Sequence, residues 1–180
     1  MRTGVKVNGQ PRASDRFHSS DPAFTEILGT PEKLTVSFPL PDPDDSLKTS
    51  LELWGKNAVL RCWCADTKTA HRLTKDGEVI QTPCTYPECQ QYKQRNCTPV
   101  GRLKFAIPEL GPGLFQLDTK SWNSISALMG TLAMFKPIPA SQLFELYMVK
   151  RKNKQGVFNV LQLRPIVQVP DDVPEAPEEE

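Results

Sequence analysis

Among these 180 residues there is no apolar run long enough to cross a bilayer as a helix, since a span needs about 18 or more. Met1-Arg2-Thr3-Gly4-Val5-Lys6 lacks the apolar core of a secretory signal, so the expected location is the cytoplasm, where thiols stay reduced. Only 2 histidines are present, which leaves little for a His-rich metal centre or for a nucleophile that needs an imidazole base. Phosphate-cradling glycine loops are missing, and Gly111-Pro112-Gly113 is a tight turn without their spacing. The GxSxG elbow and the HExxH pair are absent as well. Glu88 lies between Cys84 and Cys89, but both halves of the zinc-deaminase pattern, His-x-Glu and Pro-Cys-x-x-Cys, are wanting. Together these absences turn the reading away from an enzyme with a small-molecule substrate.

What is present begins with charge. The net of +1 conceals three unlike segments. Residues 1–60 carry 7 Lys/Arg against 8 Asp/Glu, residues 61–169 carry 15 against 7, and residues 170–180 carry 0 against 6. The basic body suits a polyanionic partner if its cations cluster, and is otherwise a solvated surface. The acidic tail, PDDVPEAPEEE, cannot bury enough to offset its ordering entropy and is expected to be disordered. Residues 1–169 then read as a single β-rich domain.

Local signals favour an α+β fold, mainly antiparallel sheet, with two helices. Asp21 can cap a helix at about 21–29, Pro22 suits its first position, and Gly29 its left-handed stop. A second helix is expected at about 120–135, capped by Thr119 or Ser121. Trp122, Ile125, Leu128, Met129 and Leu132 recur there at helical spacing and should face the sheet. Alternation of apolar and polar residues predicts strands near 34–38, 59–64, 69–73, 102–107, 114–117, 143–149 and 157–163. Residues 151–156 would join the last two as a hairpin loop. Trp54 and Trp122 read as core residues. Trp63 lies between Cys62 and Cys64 and should point to the opposite face.

All 5 cysteines fall between residues 62 and 97. Cys84, Cys89 and Cys97 are spaced Cys-x4-Cys-x7-Cys in a turn-rich segment, about 82–99, with little apolar content of its own. Such a segment gains order from a metal clip. Three thiolates in one polar loop point to a structural zinc, which wants four soft ligands in a tetrahedron. Cys62 is the expected fourth ligand, with Cys64 or His71 as alternatives. The bland alternative is that these are simply buried or free thiols. His18 reads as a solvated surface residue.

Aromatic and basic residues mix around the same segment. Tyr92, Lys93 and Arg95, with Tyr86, Arg102 and Lys104 nearby, have the character of a single-strand binding surface. Lys150, Arg151, Lys152 and Lys154 place four cations at one hairpin tip, suited to phosphate contacts. A charged turn that protects the hairpin is an equal alternative.

Four stretches resemble a family of phage and mobile-element proteins, the recombination directionality factor-like proteins, whose members are often labelled loosely as hydrolase or metal-binding. They are Gly4–Pro11 with Asp15-Arg16-Phe17; the Leu34–Pro39 step after Gly29; the strand from Cys62 to Arg72; and the cysteine loop leading through Gly101–Phe105 to Gly113–Ile125. In that last stretch, Gly113-Leu114-Phe115-Gln116-Leu117-Asp118-Thr119-Lys120-Ser121-Trp122-Asn123-Ser124-Ile125 is the most specific piece. Gly55-Lys56-Asn57 is shorter than the pattern, and the acidic tail lies outside it. The resemblance implies an accessory role beside a serine integrase in a prokaryotic cell, favouring excision over integration, with no catalytic residues of its own. A zinc-stabilised DNA-binding protein is the alternative expectation, and a metal-dependent hydrolase ranks last.

Overall fold

The computed structural model describes residues 1–7, 10–153 and 156–167, with side chains described at 1 and from 14 onward. Lys154 and the acidic tail lie outside the described residues.

Among the described residues, three antiparallel sheets form the fold. The smallest pairs β1 (Arg2–Val7) with β2 (Gln10–His18). The second has the order β11-β10-β3, built from β3 (Lys33–Ser37), β10 (Leu143–Asn153) and β11 (Gly156–Pro165). The largest has the order β7-β6-β5-β4-β8-β9. Its strands are β4 (Leu47–Trp54), β5 (Leu60–Cys64), β6 (Thr69–Leu73), β7 (Val79–Pro83), β8 (Cys97–Phe105) and β9 (Phe115–Thr119).

Four α-helices accompany the sheets among the described residues, where the sequence predicts two. Two are longer: α1 (Pro22–Leu28) and α4 (Trp122–Ala133). Two are single turns: α2 (Pro43–Ser46) and α3 (Gln90–Lys93). The longer pair obeys its local signals. The Asp21 carboxylate accepts from Ala23 N–H, and Gly29 sits at φ +65°, where a Cβ would be strained. Ser121 Oγ accepts from Ser124 N–H at the start of α4. The short helix α2 was missed because Pro39–Asp45 reads as a breaker-rich loop, yet Asp42 and Pro43 supply a cap and a first-turn proline.

One hydrophobic core runs between the two larger sheets. Phe38, Phe144 and Leu146 from one side meet Leu103, Phe105 and Leu117 from the other, all nearly or fully buried. Phe144 packs edge-on against Phe38 and Phe135, with ring centroids 5.2 and 5.1 Å apart. The sheets also join directly, because Ser37 and Ala106 exchange backbone hydrogen bonds of 2.9 and 3.0 Å. Helix α4 fills the gap. Ile125, Leu128 and Leu132 point inward, and Ser124 Oγ accepts from Leu161 N–H on β11 at 3.1 Å. Gly101 on β8 gives this helix room, since a Cβ there would lie 2.8 Å from Ile125 Cγ1.

Three sequence expectations need correction here. Trp54 and Trp122 are not core residues but are 41% and 40% exposed. Met129, also placed on the inward stripe of α4, is exposed. The inward arc is narrow, and 122 and 129 fall at its margins. The 151–156 loop is also shorter than expected, because β10 continues to Asn153 and β11 resumes at Gly156.

Candidate functional site: a five-thiol cavity and the open sheet face behind it

Strand alternation brings the thiols together. On β5, Cys62 pairs with Leu53 and Cys64 with Leu51, while Cys97 on β8 pairs with Leu53 from the other side. Directly paired residues share a face, so Cys62, Leu53 and Cys97 form a row across three strands. The 84–96 segment folds back onto this face. Cys84 N–H donates to Lys68 O at 2.6 Å at its start, and α3 follows Cys89. A small cavity of about 30 Å³ is lined by Cys62, Cys64, Cys84, Cys89 and Cys97, with Tyr86 and Tyr92 at its edge. The turn-rich segment at 82–99 is therefore partly regular, running off the end of β7, through α3 and into β8.

Burial pushes the Cys64 thiol up to about 12, helped by hydrogen bonding to Cys84 and Asp66. Burial pushes Cys97 up to about 11, and the charges of Cys62, Cys89 and Cys84 add to it. A buried thiol surrounded by others resists losing its proton unless a cation is present. Among the described residues, however, no group of three or more His, Cys, Asp or Glu side chains stands in an arrangement that could hold a metal ion. The structure thus places the five thiols around one cavity.

His71 does not join the thiols. It pairs with Trp63 across β5 and β6, and the two rings stack with centroids 5.1 Å apart and planes within 12°. That is the opposite face of the sheet, where Trp63 was expected. At the β5–β6 turn, Asp66 accepts from Thr69 N–H and Lys68 N–H at 2.7 and 2.8 Å. Those two bonds, Thr69 first, hold its carboxyl down at about 2.

The expected binding residues reach one end of α4 from two sides. Tyr92 packs edge-on against Tyr86 at 4.7 Å, and its hydroxyl accepts from Trp122 Nε1 at 3.2 Å. Lys93 pairs with Glu88 and is exposed, as is Arg95, which takes a left-handed φ of +61°. On the other side, Asn123 shares a cleft with Asn153, Gly156, Val157 and Phe158. Arg151 and Lys152 are exposed there, and Lys150 pairs with Asp15 at 3.0 Å.

Sequence reasoning missed Glu52. It is 3% exposed, and Arg102 grips both its oxygens at 2.6 and 3.0 Å. Ser50 Oγ and Trp54 Nε1 donate to it at 2.7 and 2.9 Å. The one available signal was Ser50-x-Glu52-x-Trp54, three polar-ended residues on one face of a strand.

Fold and site together define an α+β protein of three antiparallel sheets, distinguished by a five-thiol cluster. Among the described residues no helix is long and apolar enough to cross a membrane. The chain belongs to the Gp3-like family, described as recombination directionality factor-like, whose model matches residues 1–170. Comparison with curated proteins and with solved structures returned no match. Membership ties the chain to recombination in phages and mobile elements.

Proposed function

We propose that this chain binds a serine integrase and biases it toward excision, acting through protein contact rather than catalysis. The family match over residues 1–170 carries this reading. In physical terms the factor must bind one integrase arrangement more tightly than another, which is a population shift and needs no active site. The exposed end of α4, with Trp122 beside the Tyr86–Tyr92 pair, supplies aromatic contact area of the kind that anchors interfaces. The test is co-purification of the tagged chain with its integrase before and after nuclease treatment, paired with an excision assay. A complex that survives nuclease and stimulates excision is expected. Loss of the complex on nuclease treatment would instead favour DNA binding through Lys150, Arg151, Lys152, Lys93 and Arg95, as would affinity that falls steeply with salt.

The same reading includes a structural zinc held by Cys62, Cys84, Cys89 and Cys97. The donor set is chemically suited, being four soft thiols on one cavity. Cys62 and Cys97 flank Leu53 on one sheet face, and the charges acting on Cys97 include those of Cys62, Cys89 and Cys84, which favours Cys62 as the fourth ligand. Metal analysis of the purified chain should find about one zinc. Cys62→Ser and Cys84→Ser should lose it, and Cys64→Ser should keep it. A chain that purifies without zinc and whose melting temperature ignores added zinc would end the idea.

A further inference from the structure

Behind the thiols, the six-stranded sheet presents its other face. Neither hydrophobic cluster draws a residue from this face among the described residues. Cross-strand register lines up Gln81, His71, Trp63, Glu52 and Thr98 in a row. Trp63 and His71 lie flat against one another. Trp54, two residues along β4 from Glu52, is 41% exposed, and its indole N–H is fixed on the Glu52 carboxylate. Glu52 is itself 3% exposed and gripped by Arg102, so its charge is spent inside the sheet surface. Arg61 and Lys104 share this face by strand alternation, Arg61 two residues from Trp63 and Lys104 two residues from Arg102. Neither makes an ion pair among the described residues.

We propose that this face binds single-stranded nucleic acid, with bases stacking on Trp63 and Trp54 and phosphates meeting Arg61 and Lys104. Charge complementarity selects the occupant. The charged side chains without an ion pair here are the cations Arg61 and Lys104, and of the carboxylates that register places here, Glu52 is buried against Arg102, leaving Asp118 exposed at 3.9 Å from the same guanidinium. Leu73 and Val79 lie on this face only at its β6–β7 edge, so the rings are not set in a continuous aliphatic patch, which disfavours a protein partner needing an apolar centre. A flat sheet bearing rings can stack only on bases that are not already stacked in a duplex. The two tryptophans are held in place before binding, Trp54 by its hydrogen bond and Trp63 by His71, so little side-chain entropy remains to be lost. This surface is separate from the α4 end, and the proposal does not rest on integrase binding.

The experiment is fluorescence polarisation with the full chain and a labelled oligothymidylate of about twenty nucleotides, longer than one binding site requires. A duplex of equal length and a salt series accompany it. The single strand should bind at least about tenfold tighter than the duplex, and binding should weaken as salt rises. Trp63→Ala should weaken it by about tenfold. Arg61→Glu should weaken it and flatten the salt dependence. Circular dichroism checks each variant, and if Trp63→Ala is misfolded then Arg61→Glu, an exposed substitution, decides alone. No binding at low salt would overturn the proposal. So would equal affinity for the duplex, or wild-type affinity in the folded variants.

Discussion

Glu52→Gln isolates one buried carboxylate without changing its shape. Oε1 accepts from Ser50 Oγ and Arg102 Nη1, and Oε2 from Trp54 Nε1 and Arg102 Nη2. Whichever oxygen becomes an amide, one guanidinium bond and one neutral bond lose their acceptor. A charged bond contributes roughly 1.5–3 kcal/mol and a neutral one roughly 0.5–1.5. Arg102 and Trp54 are 30% and 41% exposed and can turn partly to water, so the low end applies, about 2 kcal/mol. For a chain of this length that lowers the melting temperature by about 4–8 °C. The dependence on pH has a definite sign. Burial alone would push the Glu52 carboxyl up, but the hydrogen bonds from Arg102, Ser50 and Trp54, with the Arg102 charge, outweigh it and leave it below its usual range. Its contribution is therefore complete above the unfolded value, about 4.3, and is lost as pH falls through the lower folded value. Urea unfolding of wild type and variant at pH 7 should differ by this amount, and the gap should close in acid. A variant within about 0.5 kcal/mol of wild type at pH 7 would refute the reasoning, because it would mean the network contributes no more than a surface pair.

Gly101→Ala places a Cβ 2.8 Å from Ile125 Cγ1, forcing α4 away from β8. A cost of roughly 1–3 kcal/mol is expected by thermal unfolding, while Gly113→Ala, which meets nothing within 4 Å, should be close to neutral. Asp66→Ala removes the acceptor for Thr69 and Lys68 N–H, so those two amides should exchange faster while the β10 amides do not. In the wild-type chain the same protection should persist above about pH 4 and fade as pH drops toward about 2, where that carboxyl titrates.

The sequence by itself determined the fold class and both longer helices, because caps and periodicity act over a few residues. Asp21, Pro22 and Gly29 needed no distant partner to place α1. It also set Trp63 and Cys62 on opposite faces, since a strand alternates whatever it pairs with. Strands β4 and β7 escaped detection: Leu47–Trp54 has no clean alternation, and Val79–Pro83 is an edge strand with little buried. Their pairing is paid by neighbours far along the chain, which local pattern does not register.

Only the tertiary structure decided which residues meet. Register across β4, β5 and β8 put Cys62 and Cys97 on either side of Leu53, and register across β5 and β6 took His71 away from the thiols to Trp63. It also buried Glu52, because Arg102 lies 50 residues away, and left Trp54 and Trp122 in solvent. Spacing along a chain sets which face a side chain takes, but which neighbours share that face depends on strand order, and strand order is a global outcome of filling one core.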